Sequence, residues 1–125
     1  MTDTSILLDS SVWLSYFLGQ NNSTKEIIET KKLIMTSVLS LFEIKRNLLK
    51  ENREEAEIEK ALDLIKNTSI ILDINEIICE NAAKISIKNK LHAMDSLIYA
   101  TAMLNNALLL TFDSDFKNLS NVRLL

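Results

Sequence analysis

Four carboxylates, with a candidate fifth, stand where the chain's own pattern could bring them to one place: Asp9, Glu43, Asp95 and Asp113, then Asp115. Asp9 ends the apolar run Ser5-Ile6-Leu7-Leu8, and Asp113 follows Leu109-Leu110-Thr111-Phe112. Asp95 opens an alanine-rich stretch of helical periodicity, while Glu43 falls roughly two turns into a helix that begins at Ser37. Parallel sheets bind ligands beyond the carboxyl ends of their strands, where helix N-termini also converge. Carboxylates gathered there repel one another unless a cation lies between them, and hard oxygen donors suit Mg²⁺ or Mn²⁺. Taken singly, each acid has a plainer explanation. Asp9, Asp95 and Asp113 can cap a helix or complement its dipole, and Ser40-Leu41-Phe42-Glu43 fits a capping box. The combination is harder to explain away, because Glu43 and Asp95 adjoin apolar side chains, where an unpaired charge is costly.

The residue types that are scarce exclude other chemistries. Gly19 is the only glycine, so neither a phosphate-binding loop nor a dinucleotide fingerprint can be written. His92 is the only histidine and Cys79 the only cysteine, which excludes a histidine acid–base pair, a zinc site of several such residues and an internal disulfide. Cys79 lies in an apolar stretch and is expected to be buried. The net charge of −3 is unfavourable for a polyanion-binding surface. With the five acids set aside, however, 12 of the 17 remain against 14 Lys and Arg, leaving +2 elsewhere.

The elements that must position these acids follow from periodicity and punctuation. Ser5–Asp9 reads as a buried strand, followed by a helix carrying Val12, Trp13, Tyr16 and Phe17 that Gly19 stops. Gln20–Thr24 reads as a loop, Lys25–Lys32 as a short helix and Leu33–Thr36 as a second strand. A longer helix from Ser37 has Val38, Leu41, Phe42, Ile44, Leu48 and Leu49 on a broad apolar side. The charged run Glu51–Glu59 continues as solvated helix, with Ile58, Leu62 and Ile65 in phase. Ser69–Leu72 is a third strand, then come helices over Asn75–Asn89, with Ile78, Ala82 and Ile85 inward, and over Met94–Asn105. Ala107–Thr111 is a fourth strand, Asp113–Leu119 a short helix or turn, and Val122–Leu125 a last strand. Alternation of this kind predicts an α/β fold with a parallel sheet covered on both faces. At 125 residues the chain suits one domain, residues 1–125. With no signal-peptide pattern and no apolar run of roughly 18 residues, a soluble cytoplasmic protein with no membrane contact is expected.

Four segments, in order, resemble the motifs of PIN domains: Leu7-Leu8-Asp9-Ser10-Ser11-Val12, Ser37-Val38-Leu39-Ser40-Leu41-Phe42-Glu43-Ile44, Met94-Asp95-Ser96-Leu97-Ile98-Tyr99-Ala100-Thr101-Ala102, and Leu110-Thr111-Phe112-Asp113-Ser114-Asp115-Phe116. The third and fourth are the more specific, and the length looks most like the VapC-type toxins of toxin–antitoxin pairs. The resemblance implies a PIN-like three-layer sandwich with a central parallel sheet of about five strands and helices on both faces. It also implies a ribonuclease whose Asp9, Glu43, Asp95 and Asp113, with Asp115 as a fifth, hold Mg²⁺ or Mn²⁺, while Ser10, Ser11 and Thr111 either orient the carboxylates or serve equally well as turn and cap residues. An RNA substrate, a small cognate antitoxin and a homodimer are the implied partners. A PIN-like module that binds protein or RNA without turnover is the alternative. A phosphatase with Asp9 as nucleophile is disfavoured, because Ser11 stands where such enzymes place a second Asp.

Other residues invite functional readings that ordinary structure covers. Trp13 shares helical spacing with Tyr16 and Phe17, which favours core packing over base stacking. His92 before a helix reads as solvated or a cap, not a ligand. Lys45, Arg46, Lys50 and Arg53 read as a solvated face, with Arg46 placed to pair with Glu43. From this group Lys45 and Arg46 are the candidate RNA contacts.

Overall fold

A computed structural model describes residues 5–20, 22–29 and 32–125. In chain order the elements are β1 (Ile6–Leu8), α1 (Ser10–Phe17), α2 (Asn22–Ile28), β2 (Ile34–Ser37), α3 (Val38–Lys50), α4 (Glu55–Thr68), β3 (Ile70–Leu72), α5 (Glu76–Asn89), α6 (Ala93–Leu104), β4 (Leu108–Thr111), a 3₁₀ turn (Ser114–Phe116) and β5 (Val122–Leu124). Among the described residues five strands form one sheet in the order β3-β2-β1-β4-β5, every neighbouring pair parallel. The chain leaves β1 toward β2 on one side and returns from β3 to β4 on the other. β1 and β4 therefore flank the point where the strand order reverses, the place where such sheets open a crevice for ligands.

Alternation along the strands divides the core into two layers. Ile6, Leu8, Ile34 and Leu110 face one way and pack with Val12, Trp13, Ile44, Leu48, Ile58, Leu62 and Ile65, drawn from α1, α3 and α4. Leu7, Met35 and Leu109 face the other way against Ile98, Tyr99 and Ala102 of α6 and Phe116 of the 3₁₀ turn. Leu7 and Leu8, neighbours on opposite faces, are both fully buried. This is the three-layer sandwich the sequence predicts, with each such leucine contributing roughly 1.5–3 kcal/mol of burial.

A buried polar chain ties the first layer together. Trp13 Nε1 donates to Thr36 Oγ1 at 3.2 Å, and Thr36 and Ser69 hydroxyls lie 2.8 Å apart. Because the Ser69 hydroxyl donates to the Ile65 carbonyl at 2.7 Å, its oxygen is left to accept from Thr36. The relay so joins α1, β2 and the end of α4, with every donor satisfied. Trp13 stacks on Phe17 with centroids 6.2 Å apart, as core packing predicts.

Several expectations need correction. Asn22–Thr24 belong to α2 and not to a loop, since Asn and Ser favour helix starts; that helix ends at Ile28, and Asn21, Thr30 and Lys31 lie outside the described residues. Helix α3 buries Ser40, Ile44 and Leu48, a stripe with a four-residue step, so Phe42 and Leu49 on its other side are exposed at 61% and 54%. Cys79 is exposed and not buried, because α5 turns Ile78 and Ala82 inward. The helix expected across Glu51–Glu59 is broken: α3 stops at Lys50, and α4 starts at Glu55.

The cause of that break recurs. After α1, Gly19 takes φ +63, its amide donating to Tyr16 O and the Gln20 amide to Ser15 O, which is a Schellman ending. Asn52, Lys90 and Asn106 take the same left-handed conformation after α3, α5 and α6, with Arg53, Leu91 and Ala107 donating back to Leu48, Ser86 and Ala102. Asparagine tolerates this region; lysine has no such tolerance. Lys90→Gly is expected to stabilise the protein by about 0.5–1 kcal/mol, the left-handed cost less glycine's extra chain entropy, read as a higher urea midpoint at unchanged slope.

Candidate metal centre

The site grows from the carboxyl end of β1. Asp9 caps α1, its Oδ1 accepting the Ser10 amide at 2.8 Å. Its Oδ2 accepts two hydroxyl donors, Thr111 Oγ1 at 2.7 Å and Ser11 Oγ at 3.0 Å, the first from 102 residues away. The same two hydroxyls accept the backbone amides of Asp113 at 3.0 Å and Phe112 at 3.1 Å. Asp9 is thus held by its own helix start and by the chain leaving β4, and only 5% of its surface remains exposed. Each hydroxyl passes a hydrogen bond from backbone to carboxylate, which fixes the carboxylate's rotamer.

Three other elements bring carboxylates to the same end. Asp95 lies in the first turn of α6, Asp113 caps the 3₁₀ turn by accepting the Asp115 amide at 2.9 Å, and Asp115 follows within that turn. Asp95, Asp113 and Asp115 each offer an oxygen within 4.8 Å of the others. That spacing suits one shared cation with oxygens at roughly 2.0–2.6 Å. Glu43 enters from α3, half-buried, with its Oε1 fully enclosed and without a hydrogen-bond partner among the described residues. A native structure rarely leaves a buried carboxylate oxygen unsatisfied.

The electrostatics bear the same sign. Burial first, then the charges of Asp9, Asp95 and Asp113, hold the Glu43 carboxyl above the usual range, with the Ser10 hydroxyl opposing. Burial, then Asp113, Asp9 and Asp115, push Asp95 up to about 6, with His92 opposing. Glu43 and Asp95 are thus each raised by carboxylates from other segments of the chain. An orphaned oxygen, a donor set made of carboxylates and this mutual repulsion fit a divalent cation with hard-ligand preference.

Residues 6–122 match the family described as PIN domain. The chain belongs to the PIN-domain family. Its fold is shared with a toxin–antitoxin complex from Klebsiella pneumoniae at 22% identity, TM-score 0.79, covering 94% of this chain and 95% of that one. VapBC2 from Rickettsia felis, solved bound to a promoter DNA fragment, gives 19% identity, TM-score 0.80 and 98% of both chains. VapC20 from Mycobacterium tuberculosis, described as a sarcin-ricin loop cleaving toxin, gives 16%, TM-score 0.75, and covers 92% and 95%. No curated protein sequence matches.

In this PIN domain Asp95, Asp113 and Asp115 come within 4.8 Å of one another, while Asp9, with Ser11 and Thr111 bonded to it, and Glu43, near Ser10, lie outside that group but within electrostatic reach of Asp95 or its neighbours. Lys45 and Arg46 stand apart from them on the exposed side of α3; neither forms an ion pair among the described residues, so the expected Arg46–Glu43 pair is not made. Arg53, by contrast, pairs with Glu51 at 3.3 Å and Glu57 at 3.0 Å across the turn into α4. His92 is exposed at the start of α6 and makes no capping bond. Ser15 and Gln20, which no motif marks, stand beside Ser11 and Phe112 around a hollow. The stop at Gly19 is the only hint of them in the sequence.

The raised Asp95 carboxyl carries a measurable consequence. Unfolded, it titrates near 3.8; folded and metal-free, near 6. The fold binds this proton more tightly, so the strain is complete above about pH 6 and fades as pH falls toward 3.8. Metal-free Asp95→Asn is therefore expected to melt higher than wild type at pH 7.5, by roughly 2–5 °C once solvent screening is allowed for. The two melting curves should converge by pH 4; a gap independent of pH would refute burial and carboxylate repulsion as its cause.

Proposed function

We infer that the protein is a metal-dependent endoribonuclease, residues 1–125 acting as one PIN unit and serving as the toxin of a toxin–antitoxin pair. The single observation that supports this most is the gathering of oxygens of Asp95, Asp113 and Asp115 within 4.8 Å of one another, with the buried, unpartnered Glu43 Oε1 in electrostatic reach of Asp95 and Asp113. Family membership supports the same reading. A divalent cation, Mg²⁺ or Mn²⁺, held there supplies Lewis-acid charge to a phosphodiester and to its attacking water.

The chain's own residues do the positioning. Asp95, Asp113 and Asp115 supply the three mutually close oxygens, and Glu43 and Asp9 face them from α3 and β1. Thr111 and Ser11 hold Asp9 in one rotamer, so its charge is presented without reorganisation. Ser10 favours the ionised form of Glu43. Lys45 and Arg46, exposed and without ion pairs, are suited to RNA phosphates flanking the cut.

The solved structures that share the fold include toxin–antitoxin complexes, and on that ground a small antitoxin is the expected protein partner; a homodimer is the assembly that the family resemblance implies. The site of action is the cytoplasm, where RNA substrates are met. No helix among the described residues is long and apolar enough to cross a membrane. Purified protein freed of a co-expressed antitoxin is expected to cut RNA with Mg²⁺ or Mn²⁺ and to stop when EDTA is added. Cleavage that continues at full rate in EDTA would reject the metal-dependent reading.

A further inference from the structure

Beside Asp9, the end of α1 and the chain leaving β4 border an open hollow of about 380 Å³ lined by Ser11, Ser15, Gln20 and Phe112. This lies at the lower end of the range of small-molecule sites, roughly 300–1,000 Å³. Its construction is specific. Ser11 bonds to Asp9 and to the Phe112 amide, so one wall of the hollow is also the support of the carboxylate site. Ser15 keeps only 7% of its surface exposed, yet its hydroxyl makes no hydrogen bond among the described residues. Ser96 in α6, by contrast, bonds back to the carbonyl of His92 four residues earlier. Ser15 does not, which leaves its donor and acceptor for whatever enters.

Gln20 is put there by the chain's one glycine. Gly19 at φ +63 reverses the backbone, and the Gln20 amide then closes onto the Ser15 carbonyl at 3.1 Å. The turn holds Gln20 over Ser15, with a side-chain amide that can both donate and accept. Phe112, next to Asp113, contributes an aromatic ring. An aromatic surface beside a few convergent hydrogen-bonding groups is how proteins hold an unstacked base of single-stranded RNA. A phosphate is a poor occupant, since no cation lines the hollow and Asp9 adjoins it.

We propose that this hollow is a nucleobase subsite, in which Phe112 carries the face of a base and Ser15 and Gln20 read its edge, setting the base next to the bond that is cut. The proposal rests on the ribonuclease reading above and deepens it from class of substrate to choice of sequence.

The test compares wild type with Gln20→Leu, Ser15→Ala and Phe112→Leu, mapping cut positions on a mixed-sequence RNA with Mn²⁺. Gln20 is exposed and the other two changes conserve packing; melting temperatures within a few degrees of wild type verify that each variant folds. Wild type should show a base bias within two nucleotides of the cut. Gln20→Leu should relax or change that bias by about ten-fold while cleavage continues. Phe112→Leu should lower kcat/KM by roughly 5- to 100-fold through lost stacking. Unchanged bias and unchanged kcat/KM in folded variants would overturn the subsite. If wild type cuts no RNA, the ribonuclease reading itself fails, and the hollow is tested by NMR with the four ribonucleosides, which carry no phosphate for Asp9 to repel. Shifts at the Ser15, Gln20 and Phe112 amides that disappear in Gln20→Leu support the subsite, and no shift with any nucleoside rejects it.

Discussion

Replacing Asp9 by asparagine is expected to lower RNA cleavage at least about 1,000-fold while leaving the protein folded. The size follows from what one carboxylate does at this site. Asp9 is buried, receives two hydroxyls and one amide, and faces the cluster that includes Glu43 and Asp95. Asparagine keeps the shape and one acceptor but removes the charge that would hold a cation against its neighbours. If a cation is held there, several kcal/mol of transition-state stabilisation would depend on it, and each 1.36 kcal/mol is ten-fold in rate. Thr111→Val, which removes a donor to Asp9 and leaves the charge, should cost only about 10- to 100-fold. Single-turnover cleavage of a labelled RNA under saturating Mn²⁺ measures both. Asp9→Asn retaining a tenth of wild-type activity, with its melting curve intact, would remove Asp9 from the metal site.

The second large effect concerns stability. Trp13→Ala should destabilise the protein by about 3–5 kcal/mol, enough to unfold much of a marginally stable domain at 37 °C. Trp13 is fully buried in the layer formed by α1, α3 and α4, stacks on Phe17 and begins the relay through Thr36 and Ser69. Removing the indole leaves a cavity and deprives Thr36 of its donor in one step. Trp13→Phe tests the parts separately, since it restores most of the volume and omits only the N–H, a loss of about 1 kcal/mol. Urea denaturation of the three proteins distinguishes the two contributions. Equal losses for Ala and Phe would show that the hydrogen bond, not the packing, dominates at this position.

The sequence made the sheet and the acids legible for reasons that can be named. β1 and β4 are short apolar runs covered on both faces, and Asp9 follows the first directly while Asp113 follows the second after one intervening residue. Asp95 and Glu43 were visible as charges set into apolar helices. The helix ends after α3 and α5 were hidden, because Asn52 and Lys90 do in this chain what glycine does in most. The exposure of Phe42, Leu49 and Cys79 was hidden too, since a helix with apolar residues nearly all round does not say which side meets the sheet. Nor could spacing reveal that Ser11 and Thr111 bond to the same Asp9 oxygen, for that depends on which strand lies beside β1.

The sheet order carries a consequence for how the protein is made. β1 obtains its neighbour β4 only from residues Leu108–Thr111, about a hundred residues further along the chain. A chain still threaded in the ribosome can have formed β1, β2 and β3 while Asp9 still lacks Thr111, and Asp113 and Asp115 have not yet emerged. The carboxylate cluster is complete only once this long-range parallel pairing has closed, which is the slow step for such a sheet.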